Sequence, residues 1–203
     1  MGKKVFAYAF LFVIAPRRAA DEIACDPAGV WAGLWWTLGF LAAYSVTVLI
    51  YWLLGHQPVA EGWLTIPKDR WYLVQTFTTI PVGLAGFISH AGLLFLLCRA
   101  TGGKGSFEAT FASQVYCLIV PCVVFMLLLE LLAAPVAIAL GMETVPWPEW
   151  VEMLRVFVLP FAWIFALSTL ALRRIHGTHP IAALAFTIVA MIPTGAIMAV
   201  FIR

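Results

Sequence analysis

Two ionisable residues of this sequence stand inside long apolar runs, where each implies a chemistry. Glu130 lies between Leu129 and Leu131. A carboxylate in hydrocarbon is costly, and a proton or bound cation offsets that cost, which makes it a candidate transport or proton site. The alternative is an interfacial carboxylate. If its span enters hydrocarbon near Phe111, Glu130 follows after about 28 Å of helix rise, close to the far headgroups. His90 sits nine residues before Arg99, about 13 Å of helix below that boundary. It could relay protons or ligate a metal, but no second ligand is spaced to join it. A neutral histidine hydrogen-bonded across a helix interface is the simpler reading, because Gly83, Gly86, Ser89 and Gly92 allow helices to approach closely.

The most distinctive polar stretch is Thr101-Gly102-Gly103-Lys104-Gly105-Ser106-Phe107-Glu108. Its glycines permit a tight turn with positive backbone dihedrals. Ser106 can cap the following helix, and Glu108 suits its first-turn dipole. A phosphate cradle would require G-x-x-x-x-G-K followed by Ser or Thr, but Gly105 follows Lys104 here and Cys98 stands at the first glycine position. Arg99, Gly102, Gly103, Lys104, Gly105 and Ser106 are therefore candidates for contact with a lipid headgroup or a partner. His176 and His179 could touch one metal, yet with no carboxylate or thiol beside them they read as solvated loop residues. Cys25, Cys98, Cys117 and Cys122 lack paired metal spacing and read as small buried residues. No Ser/His/Asp grouping, acidic pair or haem-type histidine pair is evident, so no catalytic residue, metal or cofactor is expected.

The elements that must carry these residues follow from composition. Of 203 residues, 64% are hydrophobic and 11% charged, far from the roughly 45–50% apolar and 25% charged of a soluble domain. A soluble enzyme, a disulfide-stapled module and a disordered chain are excluded. Twelve basic residues against ten acidic leave no footprint for nucleic acid. In hydrocarbon every backbone polar group needs an internal partner, and long non-alternating Leu/Ala/Val/Phe runs satisfy this as helices. The expected fold is all-α: one polytopic membrane domain over 1–203, with five transmembrane helices at about 30–54, 75–98, 107–134, 150–172 and 181–202. Glu61, Lys68, Asp69 and Arg70 separate the first span from the second.

Five spans place the termini on opposite sides. Lys3, Lys4, Arg17, Arg18, Arg99, Lys104, Arg173 and Arg174 fall on one face, against Lys68, Arg70, Arg155 and Arg203 on the other. The positive-inside bias then predicts a cytoplasmic amino terminus and a carboxyl terminus outside the cell membrane. Tryptophans cluster at the same boundaries, with only Trp163 placed deep. Residues 1–29 form a cytoplasmic and interfacial lead-in. Its apolar run Val5 to Ala15 is too short to cross, and Pro16-Arg17-Arg18 does not suit cleavage, so a short interfacial or re-entrant helix is expected. Asp26 and Pro27 suit the N-cap and first position of the first span. Pro81, Pro121, Pro160 and Pro193 fall inside spans, where prolines free carbonyls and can line mid-bilayer sites.

The order of these pieces resembles the Yip family, the membrane domain of Ypt/Rab-interacting proteins, in its shorter prokaryotic form. The likeness rests on Pro16 and the Arg17 to Pro27 lead-in, and on Gly102-Gly103-Lys104-Gly105-Ser106-Phe107 opening the third span, followed by Tyr116 and Pro121. The family's third span is similar to Gly-Tyr-Ser-Leu-Leu-Pro; here Val115 to Pro121 is one residue longer and lacks the glycine. The resemblance implies five spans and a cytosolic amino terminus. Eukaryotic members engage small GTPases through a long cytosolic region, for which this chain has only the short lead-in, so GTPase binding does not carry over. Prokaryotic relatives are sometimes described as permeases, and the family pattern contains no catalytic residue.

The residues thus favour a non-enzymatic scaffold or accessory subunit whose partners are membrane lipids and other membrane proteins, including copies of itself. The rival reading is a small-solute or ion permease using Glu130 and His90. A quinone- or electron-carrying accessory subunit is a weaker third, since no ligand pair for haem or iron–sulfur is apparent.

Overall fold

The computed structural model describes residues 2–58, 66–129 and 147–201, together with 132, 133, 135 and 139. Glu130 and Arg203 lie outside the described residues. Two short helices, α1 (Gly2–Ile14) and α2 (Pro16–Cys25), precede five long ones: α3 (Gly29–Leu53), α4 (Lys68–Ala100), α5 (Phe107–Leu128), α6 (Glu149–His176) and α7 (Pro180–Phe201). All five are long and apolar enough to cross a bilayer. No strand occurs among the described residues. The chain is an all-α polytopic membrane protein.

Helix ends follow local chemistry more than hydropathy. Helix α4 begins at Lys68, behind Pro67, so Lys68, Asp69 and Arg70 are its first turn and not a break between spans. Charged residues are compatible with helix outside hydrocarbon, and Asp69 complements the N-terminal dipole. Helix α6 likewise continues through Arg173, Arg174 and His176 before Gly177 closes it in the left-handed conformation, φ 71°. Helix α3 starts at Gly29 and not at Pro27; Asp26 stands outside the helix and its Oδ1 accepts from the Ala28 N–H at 3.0 Å. Ser106 does cap α5, accepting from Ala109 N–H at 3.1 Å.

Two of the in-span prolines accompany π-helical stretches, Val123–Leu128 after Pro121 and Leu154–Val158 before Pro160. Pro160 cannot donate to the Val156 carbonyl and its ring crowds that oxygen, so the preceding turn widens. The two wide turns pack against one another, and Arg155 Nη1 reaches the Met126 carbonyl at 3.5 Å. Pro81 interrupts nothing: α4 is helical throughout.

Helix α5 is the centre of the bundle. Every residue from Ala109 to Pro121 is buried, enclosed by α1, α2, α3, α4 and α6, while α7 closes the outer side against α4 and α6. Lipid gives helices no hydrophobic reason to associate, so close backbone approach does the work. Gly33 provides it between α3 and α5, where a Cβ would stand 2.9 Å from Ala112 Cα. Gly83 provides it between α4 and α3, receiving the Leu41 side chain.

The lead-in packs into this core. Helix α1 buries Val5, Tyr8 and Phe12, and α2 buries Ala19, Ala20 and Ile23. Phe12 and Trp36 stack on the Tyr116 ring, with centroids 5.5 and 5.6 Å away. Tyr116 lies nine residues into α5, about 13 Å of helix from its start. Helix α1 therefore wedges beside the spans, with Lys4 extended to Asp26 at 2.8 Å.

Candidate functional site

Three groupings of side chains bear on function. The first is at the end of the bundle where the glycine turn joins α4 to α5. Gly103 and Gly105 meet the end of α6: a Cβ on Gly103 would stand 3.0 Å from His176 Nδ1, and 2.7 Å from Cys98 O of α4, and one on Gly105 2.4 Å from Ile175 Cγ2 and 2.9 Å from the Ile175 carbonyl. Gly102 has φ 87°, the left-handed region. The Lys104 N–H donates to His176 O at 3.3 Å, and Arg99 Nη1 donates to Gly103 O at 3.3 Å. His176 is buried in the helix and is not a solvated loop residue. Its Nε2 is 2.7 Å from Thr110 Oγ1, whose hydroxyl donates to Ser106 O at 2.7 Å. The Thr110 proton being committed, His176 Nε2 carries the hydrogen and Nδ1 is a bare acceptor. A helix end rich in backbone carbonyls and a buried imidazole needed a partner, which the side-chain spacing alone could not reveal. Of the six turn residues singled out by sequence, Arg99, Gly102, Lys104 and Ser106 are exposed, Gly103 is buried and Gly105 half-buried. His179 is exposed, and among the described residues no three His, Cys, Asp or Glu gather as a metal site.

The second grouping is inside the bundle. His90 is fully buried on α4, with Nδ1 3.3 Å from Ala190 O and 3.2 Å from Thr194 Oγ1 on α7. Thr194 donates its own hydroxyl to Ala190 O at 2.7 Å. Both neighbours of Nδ1 are therefore acceptors, so Nδ1 carries the proton and Nε2 presents a lone pair. The buried amide of Gln114 on α5 faces His90. Neither Gln114 side-chain atom nor His90 Nε2 has a protein hydrogen-bond partner within 3.5 Å among the described residues. One turn deeper, buried Ser168 of α6 lies beside Cys117. Gln114, Ser168 and Thr194 were missed in the sequence. The signal was there for Gln114, an amide inside an apolar run that shares a helix face with Thr110 and Cys117 at spacings of four and three. Of the cysteines, Cys98 and Cys117 are buried, whereas Cys25 is exposed.

The third grouping is an apolar groove of about 700 Å³ between α1 and α3, floored by α5. Phe6, Trp36, Phe40 and Leu127 line it, Trp35 stands 56% exposed at its side, and Gly39 leaves its wall open. Where α1 approaches α3, Asp26 accepts from Lys4, from the Tyr8 hydroxyl at 2.7 Å and from the Ala28 N–H. Lys4, then Tyr8, then the backbone donor hold the Asp26 carboxyl down at about 2. Burial, and then the Asp26 contact, pushes the Tyr8 phenol well above its ordinary range.

No curated protein and no solved structure matches the chain. A family model described as the Yip1 domain matches residues 10–202, which takes in the lead-in after α1's first turns, the glycine turn and all five long helices; the chain belongs to the Yip1 family.

Proposed function

We propose that the protein is a non-enzymatic scaffold or accessory subunit forming one domain in the cell membrane, which holds lipid or another membrane protein against its spans. The observation that carries this reading is the apolar groove beside α1, of a size typical of a small-molecule site and walled by aromatic side chains. The amino terminus is cytoplasmic and the carboxyl terminus outside; the eight-to-four division of cations supports that orientation. The lead-in packs against its own bundle, which disfavours small GTPases as partners. Native mass spectrometry from mild detergent tests the reading. Retained lipid or a second membrane protein is expected, and a bare monomer counts against it. Gly39→Trp fills the groove from a position with nothing within 4 Å and should release the occupant while the fold persists.

A second reading, a small-solute or ion permease, is favoured by the His90 and Gln114 grouping. Buried donors and acceptors left without partners cost about 1–3 kcal/mol each, a cost that a hydrogen-bonding solute or a proton pathway through them would offset. Flux into vesicles that disappears in His90→Leu and in Glu130→Gln supports it; unchanged flux in both removes it.

A further inference from the structure

Where α6 turns into α7, a polar cavity of about 520 Å³ opens at the end of the bundle. Arg17 of α2, Arg173 and Arg174 of α6, and Thr178 and His179 of the connecting turn surround it, with Leu170 at its apolar side. The charge in it is unbalanced. Arg174 is held in a two-pronged pair with Asp21, Nε to Oδ1 at 2.8 Å with Nη2 on Oδ2. Among the described residues, no carboxylate lies within 4 Å of Arg17 or Arg173. The same cavity ends on the N-terminus of α7, a helix of 22 residues that starts at Pro180, whose first-turn N–H groups favour an anion. Two unpaired guanidiniums, a helix N-terminus and an apolar side one turn inward match a phosphate linked to an acyl chain.

We propose that this cavity binds the phosphate headgroup of an anionic phospholipid, with Arg17 and Arg173 as its forked donors and Leu170 against the start of the acyl region. The planar guanidinium suits phosphate oxygens bidentately. Leu170 is one helical turn before Arg174, about 6 Å deeper, which places headgroup and chain in the order a bilayer imposes. The proposal deepens the lipid part of the scaffold reading, yet it concerns a different surface from the groove beside α1.

The full chain is incorporated into nanodiscs containing phosphatidylglycerol and phosphatidylcholine with identical acyl chains, and the lipids retained on transfer to mild detergent are counted by native mass spectrometry. A preference for phosphatidylglycerol is expected, falling about fivefold with Arg17→Gln and again with Arg173→Gln, the loss associated with one basic residue at an anionic surface. Both side chains are exposed, so helicity by circular dichroism should be unchanged. Lys3→Gln, at an exposed cation outside the cavity, should leave the preference intact. An equal loss with Lys3→Gln overturns the site in favour of diffuse attraction. Displacement of phosphatidylglycerol by millimolar inorganic phosphate overturns the lipid assignment in favour of a soluble phosphate. Phosphatidylcholine retained without any preference sinks this inference alone. Lipid retention left unchanged by Gly39→Trp, with the preference for phosphatidylglycerol preserved, sinks only the groove.

Discussion

The hydroxyl of Tyr116 donates to the carbonyl of Val5 at 3.2 Å, joining the middle of the most buried helix to the first turns of the chain. Phe12 is stacked on the same ring with an interplanar angle of 11°, so one tyrosine fixes both ends of α1. A helix of 13 residues is too short to span hydrocarbon, so α1 is held at that depth by its packing and hydrogen bonds to the long helices and to Asp26. Its docking creates the groove, and the groove carries the scaffold reading.

Removing that hydroxyl should loosen α1 first. Tyr116→Phe removes one buried hydrogen bond while the Val5 carbonyl keeps its place in the α1 ladder, and is expected to cost about 0.5–1.5 kcal/mol, and Tyr116→Ala about 3–5 kcal/mol. Hydrogen exchange in detergent should show faster exchange over residues 2–14 in Tyr116→Phe, with α6 and α7 unaffected. Equal protection of α1 in wild type and variant would refute this docking role.

The glycine turn should rank its substitutions by geometry. Gly105→Ala and Gly103→Ala drive a methyl against backbone of Ile175 and Cys98 and should lower the thermal midpoint severely. Gly102→Ala meets nothing within 4 Å and suffers only the strain of a positive φ, about 1 kcal/mol. A thermal-shift series in detergent checks the order; Gly102→Ala as the most damaging of the three would contradict it.

Acid should weaken the α1 attachment through Asp26. Its carboxyl is held at about 2 in the folded chain, below an ordinary unfolded value of about 3.9. A depressed carboxylate stabilises above the unfolded value and loses that contribution as pH falls through the folded one. The stability difference between wild type and Asp26→Asn should therefore be constant above about pH 4.5 and shrink between about pH 4 and pH 2. Denaturation midpoints across that window provide the measurement, and a gap that does not change with pH would disprove the coupling.

The two buried histidines should be opposite tautomers when neutral. His90 carries its proton on Nδ1, facing Ala190 O, and His176 carries it on Nε2, facing Thr110 Oγ1. Nitrogen chemical shifts of ¹⁵N-histidine protein in bilayers distinguish the two forms. His90→Leu and Thr110→Val assign the signals, and identical tautomers at both positions would refute the hydrogen-bond directions.

The sequence by itself determined that this is a helical membrane protein with five helices long and apolar enough to cross a bilayer. The physical reason is that hydrocarbon permits only internally bonded backbone, so apolar length translates directly into a span. The serine cap at Ser106 was legible for the same local reason, since capping needs only neighbours in sequence. Helix ends at Lys68 and His176 were less legible, because polar residues outside hydrocarbon remain helical and hydropathy cannot mark where they stop.

Only the tertiary structure decided which polar residues meet. His176 reads as a loop residue until Thr110 is brought to it, and His90 has no visible partner until α7 lies against α4. Gln114 and Ser168 acquire meaning only when three helices converge. The basic cavity unites Arg17 with Arg173 across the whole chain. Such contacts depend on which helix faces turn toward one another, and in lipid that choice is made by glycine-sized gaps and buried hydrogen bonds spread over different spans, not by periodicity within any one of them.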